Sequence, residues 1–335
     1  DALKYLQTVT ETDGFVARTV IPISWKNMSD ANRTYTDREF ADIRVDNPRE
    51  KIVEKRWRPS SDGTWLWKGD TSSDEITGHM YGYLFYHDLA ADKKEKKVVA
   101  DLICKIVDYI IQGDYVLRDI DGNPTKWAIW APRFLNDDPD WRQERGINSI
   151  EILSYLKLAF HVSGDKKYQS EYEKLLYEHN YLDNVRRAKT TNPVWRTHID
   201  DELLALAYPA LLLYEVDPAL RAVYLESFEQ WYAEVSKDCS PYFNFMYAAF
   251  TGIDPKFECS IDFLKQTPLD LVSWQIDNSR REDVPLVRAP EMEHWQTARW
   301  LPIDETSFFR WDDNPRIAIR GHGGQLESDG VFWML

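Results

Sequence analysis

Residues 94–112 read KEKKVVADLICKIVDYIIQ and carry the clearest helical pattern of the chain. Their apolar side chains recur every three or four positions, which places them on one face of an α-helix. That face comprises Val98, Val99, Leu102, Ile103, Ile106, Val107, Ile110 and Ile111. Gly113 follows the run, as glycine often does at helix ends. The segment therefore predicts an amphipathic helix that packs this face against a core.

Helices of this kind recur in pairs along the sequence. Four pairs are predicted, at residues 72–91 and 94–112, 148–161 and 166–179, 200–214 and 218–235, and 242–251 and 254–265, and residues 2–10 are predicted to form one further helix. Short turns join the two helices of a pair, whereas the irregular stretches 18–71, 115–146 and 277–329 separate the pairs and are rich in tryptophan. Ordered long loops of this kind are usually functional. The pattern predicts an all-α chain, an (α/α) toroid of helical hairpins with its long loops over one face, as a single domain spanning 1–335.

Charge and composition exclude several classes of protein. The net charge of −15 argues against a nucleic-acid partner, since binding phosphates requires a basic surface. The sequence holds neither an apolar run of the roughly 18 residues that span a membrane nor a zinc, nucleotide or serine-hydrolase motif. Three widely spaced cysteines, an odd number, argue against a disulfide scaffold. No cofactor or metal is therefore expected. The 14% of aromatic residues fits a sugar-binding cleft or a core with large side chains.

Residues 69–79, GDTSSDEITGH, form the most distinctive polar segment. Asp70 or Thr71 is predicted to cap the helix that follows, and Asp74 and Glu75 would then lie at its start. His79 is four residues beyond Glu75 and shares its helix face. Acids at a helix start favour the helix dipole without any catalytic role. The segment is therefore either only a helix cap or part of a catalytic or binding site.

A second acidic helix start supports the interpretation of residues 69–79 as part of a catalytic or binding site. His198, Asp200, Asp201 and Glu202 open a predicted helix of a different hairpin. In a toroid, two such helix starts would face the same mouth. Glycoside hydrolysis needs two carboxyl groups on either side of the scissile bond. The alternative is that these acids only cap the helix and have no catalytic role.

Further polar groups are candidates for substrate binding. The start of the middle hairpin carries Arg145, Asn148, Ser149 and Glu151, and a guanidinium there would suit a uronate carboxylate, although a structural salt bridge fits equally well. The C-terminal region adds Arg280, Trp311, His322 and Glu327.

Four segments carry a family resemblance. They are DTSSDEITGHMYGYLFYHDLA, DGNPTKWAIWAP with RGINSIEILSYLKLAFHVSGDKKY, HIDDELLALAYPALL and PLDLVSWQIDNSRREDV. Together they resemble the (α/α)6-toroid carbohydrate-active proteins of polysaccharide-degrading bacteria, and the nearest activity is that of glycoside hydrolase family 154, which is β-glucuronidase-like. The resemblance implies carbohydrate metabolism in the periplasm or outside the cell. It also leads us to expect a toroid without its last helix, because the chain stops where that helix should begin.

The resemblance and the acidic helix starts together predict a hydrolase for a glycan that contains glucuronic or another uronic acid. Asp74 or Glu75 is the expected general acid, and Asp200 or Asp201 the expected activator of water. The expected substrate-binding residues are Asp70, His79, Arg133, Arg145, Asn148, His198, Arg280, Trp311, His322 and Glu327. Two alternatives stay open: a polysaccharide lyase, with His79 or Tyr83 as base near Arg133, and a glycan-binding protein without catalysis.

Overall fold

The structure is a computed structural model that describes residues 1–25, 30–46, 50–189, 198–236, 239–255 and 257–266, together with five short strands beyond residue 272. The chain divides into two compact units. The first unit comprises residues 1–188 and 206–224, and the second comprises 189–205 and 225–335. The boundary falls inside two helices, so the units share continuous chain. The expectation of a single domain stays a prediction.

The described chain is mostly helical, as predicted. Its twelve α-helices are α1 (Ala2–Thr8), α2 (Asp37–Asp46), α3 (Ser73–Phe85), α4 (Lys93–Gln112), α5 (Pro132–Leu135), α6 (Arg145–Ser163), α7 (Lys166–Glu178), α8 (Tyr181–Val185), α9 (His198–Tyr214), α10 (Pro218–Val235), α11 (Pro241–Thr251) and α12 (Phe257–Gln266). All nine predicted helices are present, with ends that differ by a few residues. None of the described helices is both long and apolar enough to cross a membrane.

The stretches predicted to be irregular contain more regular structure than expected. They include helix α2 and the strands β1 (Thr19–Pro22), β2 (Trp57–Pro59), β3 (Trp65–Lys68), β4 (Val116–Arg118) and β5 (Pro124–Ile129). The first three form an antiparallel sheet in the order β1-β3-β2, and β4 pairs with β5. These strands are three to six residues long, which is too short for a clear alternating pattern in the sequence.

The core of the first unit forms around α4 and α6. Helix α4 buries Val99, Leu102, Ile103, Ile106, Val107 and Ile110, each worth about 1.5–3 kcal/mol when fully removed from water. Of the predicted face, Val98 is instead 40% exposed. Helix α6 is buried on nearly every side from Gly146 to Ala159 and packs against α3, α4 and α7. Gly146 is required there, because a Cβ atom would lie 2.1 Å from the carbonyl oxygen of Arg187.

Helix α3 begins and ends with distinct local structures. Ser72 is its N-cap, so the prediction of Asp70 or Thr71 is wrong. Asp70 instead has a positive φ of 54° and its backbone N–H donates to Asp119. The last turn continues as a π-helical turn, Tyr86–Ala90. Turns of this kind are rare and often occur at functional sites.

The second unit contains α11, α12 and the strands β6 (Ser273–Asp277), β7 (Leu286–Arg288), β8 (Trp295–Thr297), β9 (Ala318–Ile319) and β10 (Glu327–Val331). Cys239 and Cys259 form a disulfide, with Cα atoms 5.5 Å apart. The odd number of cysteines therefore did not exclude a disulfide. Nearby, the buried Asn244 side chain accepts from the Tyr232 hydroxyl and donates to that of Ser260. Strand β10 pairs with β6, and β8 lies between β7 and β9.

Candidate functional site

The start of α3 holds its two acidic residues in different ways. Glu75 completes a capping box: one carboxylate oxygen accepts from the backbone N–H of Ser72 at 2.7 Å. Its other oxygen lies 3.0 Å from Nε of Arg18. Both oxygens of Glu75 are therefore engaged by the protein, which makes it a structural anchor for the helix start.

Asp74 is the more available of these two carboxyls. Its side chain is partly exposed, and one oxygen accepts a long hydrogen bond of 3.5 Å from the Ser73 hydroxyl. Burial raises its pKa above the ordinary value, against the opposing effects of the Ser72 and Ser73 hydrogen bonds and the charge of Arg18. A carboxyl whose pKa is raised and that still reaches solvent is a candidate to donate a proton to a bound substrate.

A further carboxyl, Glu151 of α6, is completely buried and is influenced by the charge of Asp74. One of its oxygens accepts from the Thr77 hydroxyl at 3.0 Å, and the other accepts from the indole N–H of Trp130 at 2.8 Å. Burial raises the pKa of Glu151 to about 8, and the charge of Asp74 contributes in the same direction. Glu151 therefore carries a proton at neutral pH.

The Thr77 hydroxyl connects this carboxyl to a buried tyrosine. It lies 2.5 Å from the hydroxyl of Tyr155, whose ring packs edge-on against Trp130. Thr77, Glu151 and Tyr155 thus form a polar cluster between α3 and α6, and the charge of Asp74 acts on Glu151 and Tyr155. Glu151 belongs to the candidate group predicted at the start of the middle hairpin, where no role was assigned to it. Its sequence signal is an acid between the apolar neighbours Ile150 and Ile152, whereas nothing in the sequence distinguishes Thr77 or Tyr155.

Two predicted binding residues of the same segment are buried. The Asp70 carboxylate accepts from the backbone N–H of Lys126 at 3.2 Å and lies 3.4 Å from Nζ of Lys51. His79 is 4% exposed, and its Nδ1 atom lies 2.8 Å from the carbonyl oxygen of Glu75. Burial lowers the pKa of His79, which favours the neutral ring. Both side chains are thus buried and make contacts within the protein that hold residues 69–79 in place.

The second acidic helix start belongs to the second unit, and its acids also differ in burial and in their contacts. Asp201 is fully buried: Nε1 of Trp231 donates to it at 3.1 Å and Nζ of Lys189 at 3.3 Å. Asp200 is partly exposed and lies 3.6 Å from the same lysine. Burial and the charge of Asp201 raise the pKa of Glu202 to about 7. Asp200 and Glu202 are thus the more accessible acids, and the predicted convergence with the α3 start stays a prediction.

The three remaining predicted residues of the first unit lie in internal contacts. The Arg145 guanidinium donates to the carbonyl oxygens of Leu135 and Asn136, the latter at 3.0 Å, and so holds the end of α5. The Asn148 amide donates to the carbonyl oxygen of Ile129 at 2.8 Å. Arg133 pairs with Asp114. Their predicted roles in sugar binding stay predictions.

The C-terminal predictions cannot be placed in a site. Arg280, Trp311 and His322 lie outside the described residues. His198 begins α9 and Glu327 begins β10, where the backbone alone is described.

A cavity of about 750 Å³ lies elsewhere in the first unit. Its size is within the range of small-molecule sites. Its walls include the aromatic residues Phe40, Phe134 and Trp141 and the cations Arg44, Lys51, Lys55 and Lys126. Neither Asp74 nor Glu151 belongs to these walls, so the cavity and the polar cluster are separate features.

Comparisons with known proteins place the chain in no family. No family model matches it, and it matches neither a curated protein nor a solved structure.

Proposed function

We propose that the chain is a glycoside hydrolase that cleaves uronic-acid-containing glycans, with Asp74 as the general acid. The observation that carries this proposal is the contrast at the start of α3. Both acids are partly exposed, and burial raises the pKa of each. Both oxygens of Glu75 are engaged by Ser72 and Arg18, whereas an oxygen of Asp74 accepts a long hydrogen bond of 3.5 Å from Ser73. Glycosidases need a carboxyl with a raised pKa beside the leaving-group oxygen, where it acts as the general acid.

Arg18 supports an acidic substrate. A protein with a net charge of −15 repels anions at long range, so an anionic sugar needs a local cation. The Arg18 guanidinium is partly exposed, and its charge acts on both Asp74 and Glu75. It would therefore lie near a sugar bound against Asp74. The same proposal includes a role in polysaccharide degradation, a location in the periplasm or outside the cell, and a toroidal arrangement of the helices.

Asp200 and Asp201 are the residues predicted from the sequence to activate water, and Asp200 is the one that we keep as a candidate for that role. Of the two residues predicted from the sequence, Asp201 is fully buried and bonded to Trp231 and Lys189. Asp200 is partly exposed. A lyase receives less support, because its predicted bases, His79 and Tyr83, are each only 4% exposed.

The test begins with a panel of uronic-acid-containing glycans and product analysis. Hydrolysis leaves two saturated products, whereas a lyase creates an absorbing C=C bond. Asp74→Asn is then compared with wild type on two aryl glucuronides, one with a poor and one with a good leaving group. Because a good leaving group departs without protonation, kcat should fall by about 10²–10⁴-fold on the poor substrate and far less on the good one.

Asp101→Asn is the matched control, since Asp101 is an exposed acid on α4. It should keep wild-type kcat on both substrates. Asp200→Asn tests the second role independently and should slow both substrates. Equal losses on the two leaving groups for Asp74→Asn would refute its assignment as the acid, and glycan binding without products would refute the enzyme.

A further inference from the structure

A histidine and carboxylate cluster lies outside the candidate site. His87 and Asp88 belong to the π-helical turn after α3, and His161 lies in the last turn of α6. Nδ1 of His87 is 2.6 Å from a carboxylate oxygen of Asp88, and Nε2 of His161 is 3.2 Å from the same oxygen. The three ligand atoms all lie within 4.8 Å of one another.

These spacings are close to those around a tetrahedral zinc ion. Zinc lies about 2.0–2.1 Å from histidine nitrogen and carboxylate oxygen, so neighbouring ligand atoms are about 3.3 Å apart. The distance from His161 to Asp88 already matches this edge. A side-chain shift on the order of 1 Å brings the remaining pairs to it. Two imidazoles with one carboxylate is a ligand set that zinc uses when its fourth position is open to water.

Tyr214 holds the cluster in position. Its hydroxyl donates to the second oxygen of Asp88 at 2.7 Å, which leaves the first oxygen facing both histidines. The Tyr214 ring also stacks on His161, with centroids 3.8 Å apart and planes 12° apart. Partners of this kind fix the orientation of metal ligands.

The surroundings favour a cation. Helices α3, α6 and α9 all end at this cluster, and helix C-termini carry partial negative charge. Burial alone would raise the pKa of Asp88, but hydrogen bonds from His87, Tyr214 and His161 lower it to about 2. Asp88 is therefore an anion at neutral pH. Its side chain is 30% exposed, so an ion from solvent can reach it.

We propose that His87, Asp88 and His161 bind one Zn²⁺ ion that ties the turn after α3 to the end of α6. Asp74 and Asp88 are fourteen positions apart on α3 and its continuation, which corresponds to about 20 Å along a helix axis. Zinc at this cluster would thus not touch a sugar bound against Asp74, and the inference does not rest on the proposed hydrolase activity.

The test uses the whole chain without a histidine tag, stripped with EDTA and returned to metal-free buffer at pH 7.5. Titration with Zn²⁺ in a calorimeter should give one site per chain. His87→Gln/His161→Gln should raise the Kd by at least about 100-fold, since loss of a supporting partner alone costs about 10–100-fold. Tyr214→Phe should weaken binding by about tenfold and keep the stoichiometry.

His179→Gln is the matched control, because His179 follows α7 and is not part of the cluster. It should bind zinc like wild type. Circular dichroism checks that each variant is folded. Co²⁺ added to wild type supplies a readout that needs no variant, since tetrahedral coordination by nitrogen gives a visible absorption band. Zinc affinity equal in wild type and double variant, or a Co²⁺ spectrum of the hydrated ion, would overturn the proposal.

Discussion

Glu151→Gln tests the buried acid of the candidate site through stability. A glutamine has the shape of a protonated glutamate. Its oxygen can accept from Trp130, and its amide can donate to the Thr77 hydroxyl, so both contacts at Glu151 are kept. The substitution therefore removes the titration of this group and little else.

The size of the effect follows from the pKa of Glu151. Its ordinary value is 4.5 and burial raises it to about 8. Between these values the folded chain keeps a proton that the unfolded chain has lost, so the free energy of unfolding falls as pH rises. At about 1.4 kcal/mol per pKa unit, the full penalty is about 5 kcal/mol. It is absent below pH 4.5 and complete above pH 8.

Urea unfolding of wild type and Glu151→Gln at pH 5, 7 and 9 measures this penalty. The variant should exceed wild type by less than about 1 kcal/mol at pH 5 and by progressively more toward about 5 kcal/mol at pH 9. Other titrating groups contribute to both proteins and cancel in the difference. Glu178→Gln, which replaces an exposed glutamate of α7, should show a constant difference. A constant difference for Glu151→Gln as well would contradict a buried, protonated Glu151.

Two further predictions concern stability. Gly14→Ala should lower the free energy of unfolding by about 2–6 kcal/mol, because φ is +84° and the new Cβ would lie 2.2 Å from the carbonyl oxygen of Lys105. The control is Gly63→Ala, where φ is +67° but the new Cβ would lie in open space, and its cost in thermal unfolding should be only about 1–2 kcal/mol. Equal costs for the two variants would argue against the contact at Gly14. Reduction of the Cys239–Cys259 disulfide should lower the free energy of unfolding of the second unit by about 3 kcal/mol for its loop of 20 residues. Thiol titration of the unreduced, unfolded chain should find one free thiol, and three would disprove the pairing.

The helices were predictable because their signals are local. The 3.6-residue period of α4, the turn glycine Gly164 after α6 and Pro218 at the start of α10 each act within one or two turns. The sheet β1-β3-β2 was missed because its strands are only three or four residues long, and because β1 pairs with β3, which is far along the sequence. The disulfide was missed because pairing depends on distance in space, which a count of cysteines does not give.

The candidate site was predictable only in outline. The sequence located the acid-rich start of α3, since capping boxes and acids near helix N-termini are local features. It could not assign different roles to Asp74 and Glu75. That difference comes from Arg18, which lies more than fifty positions away in sequence and pairs with Glu75.

The sequence by itself determined that the described chain is mostly helical, where most helices begin and end, and that acids gather at two helix starts. These properties depend on side-chain period and capping, which act over a few residues. Only the tertiary structure decided that Glu151 is buried with its hydrogen bonds to Thr77 and Trp130, and that His87, Asp88 and His161 meet at one point. Burial and the approach of distant side chains set pKa values and ligand geometry, and both arise from the packing of α3 against α6.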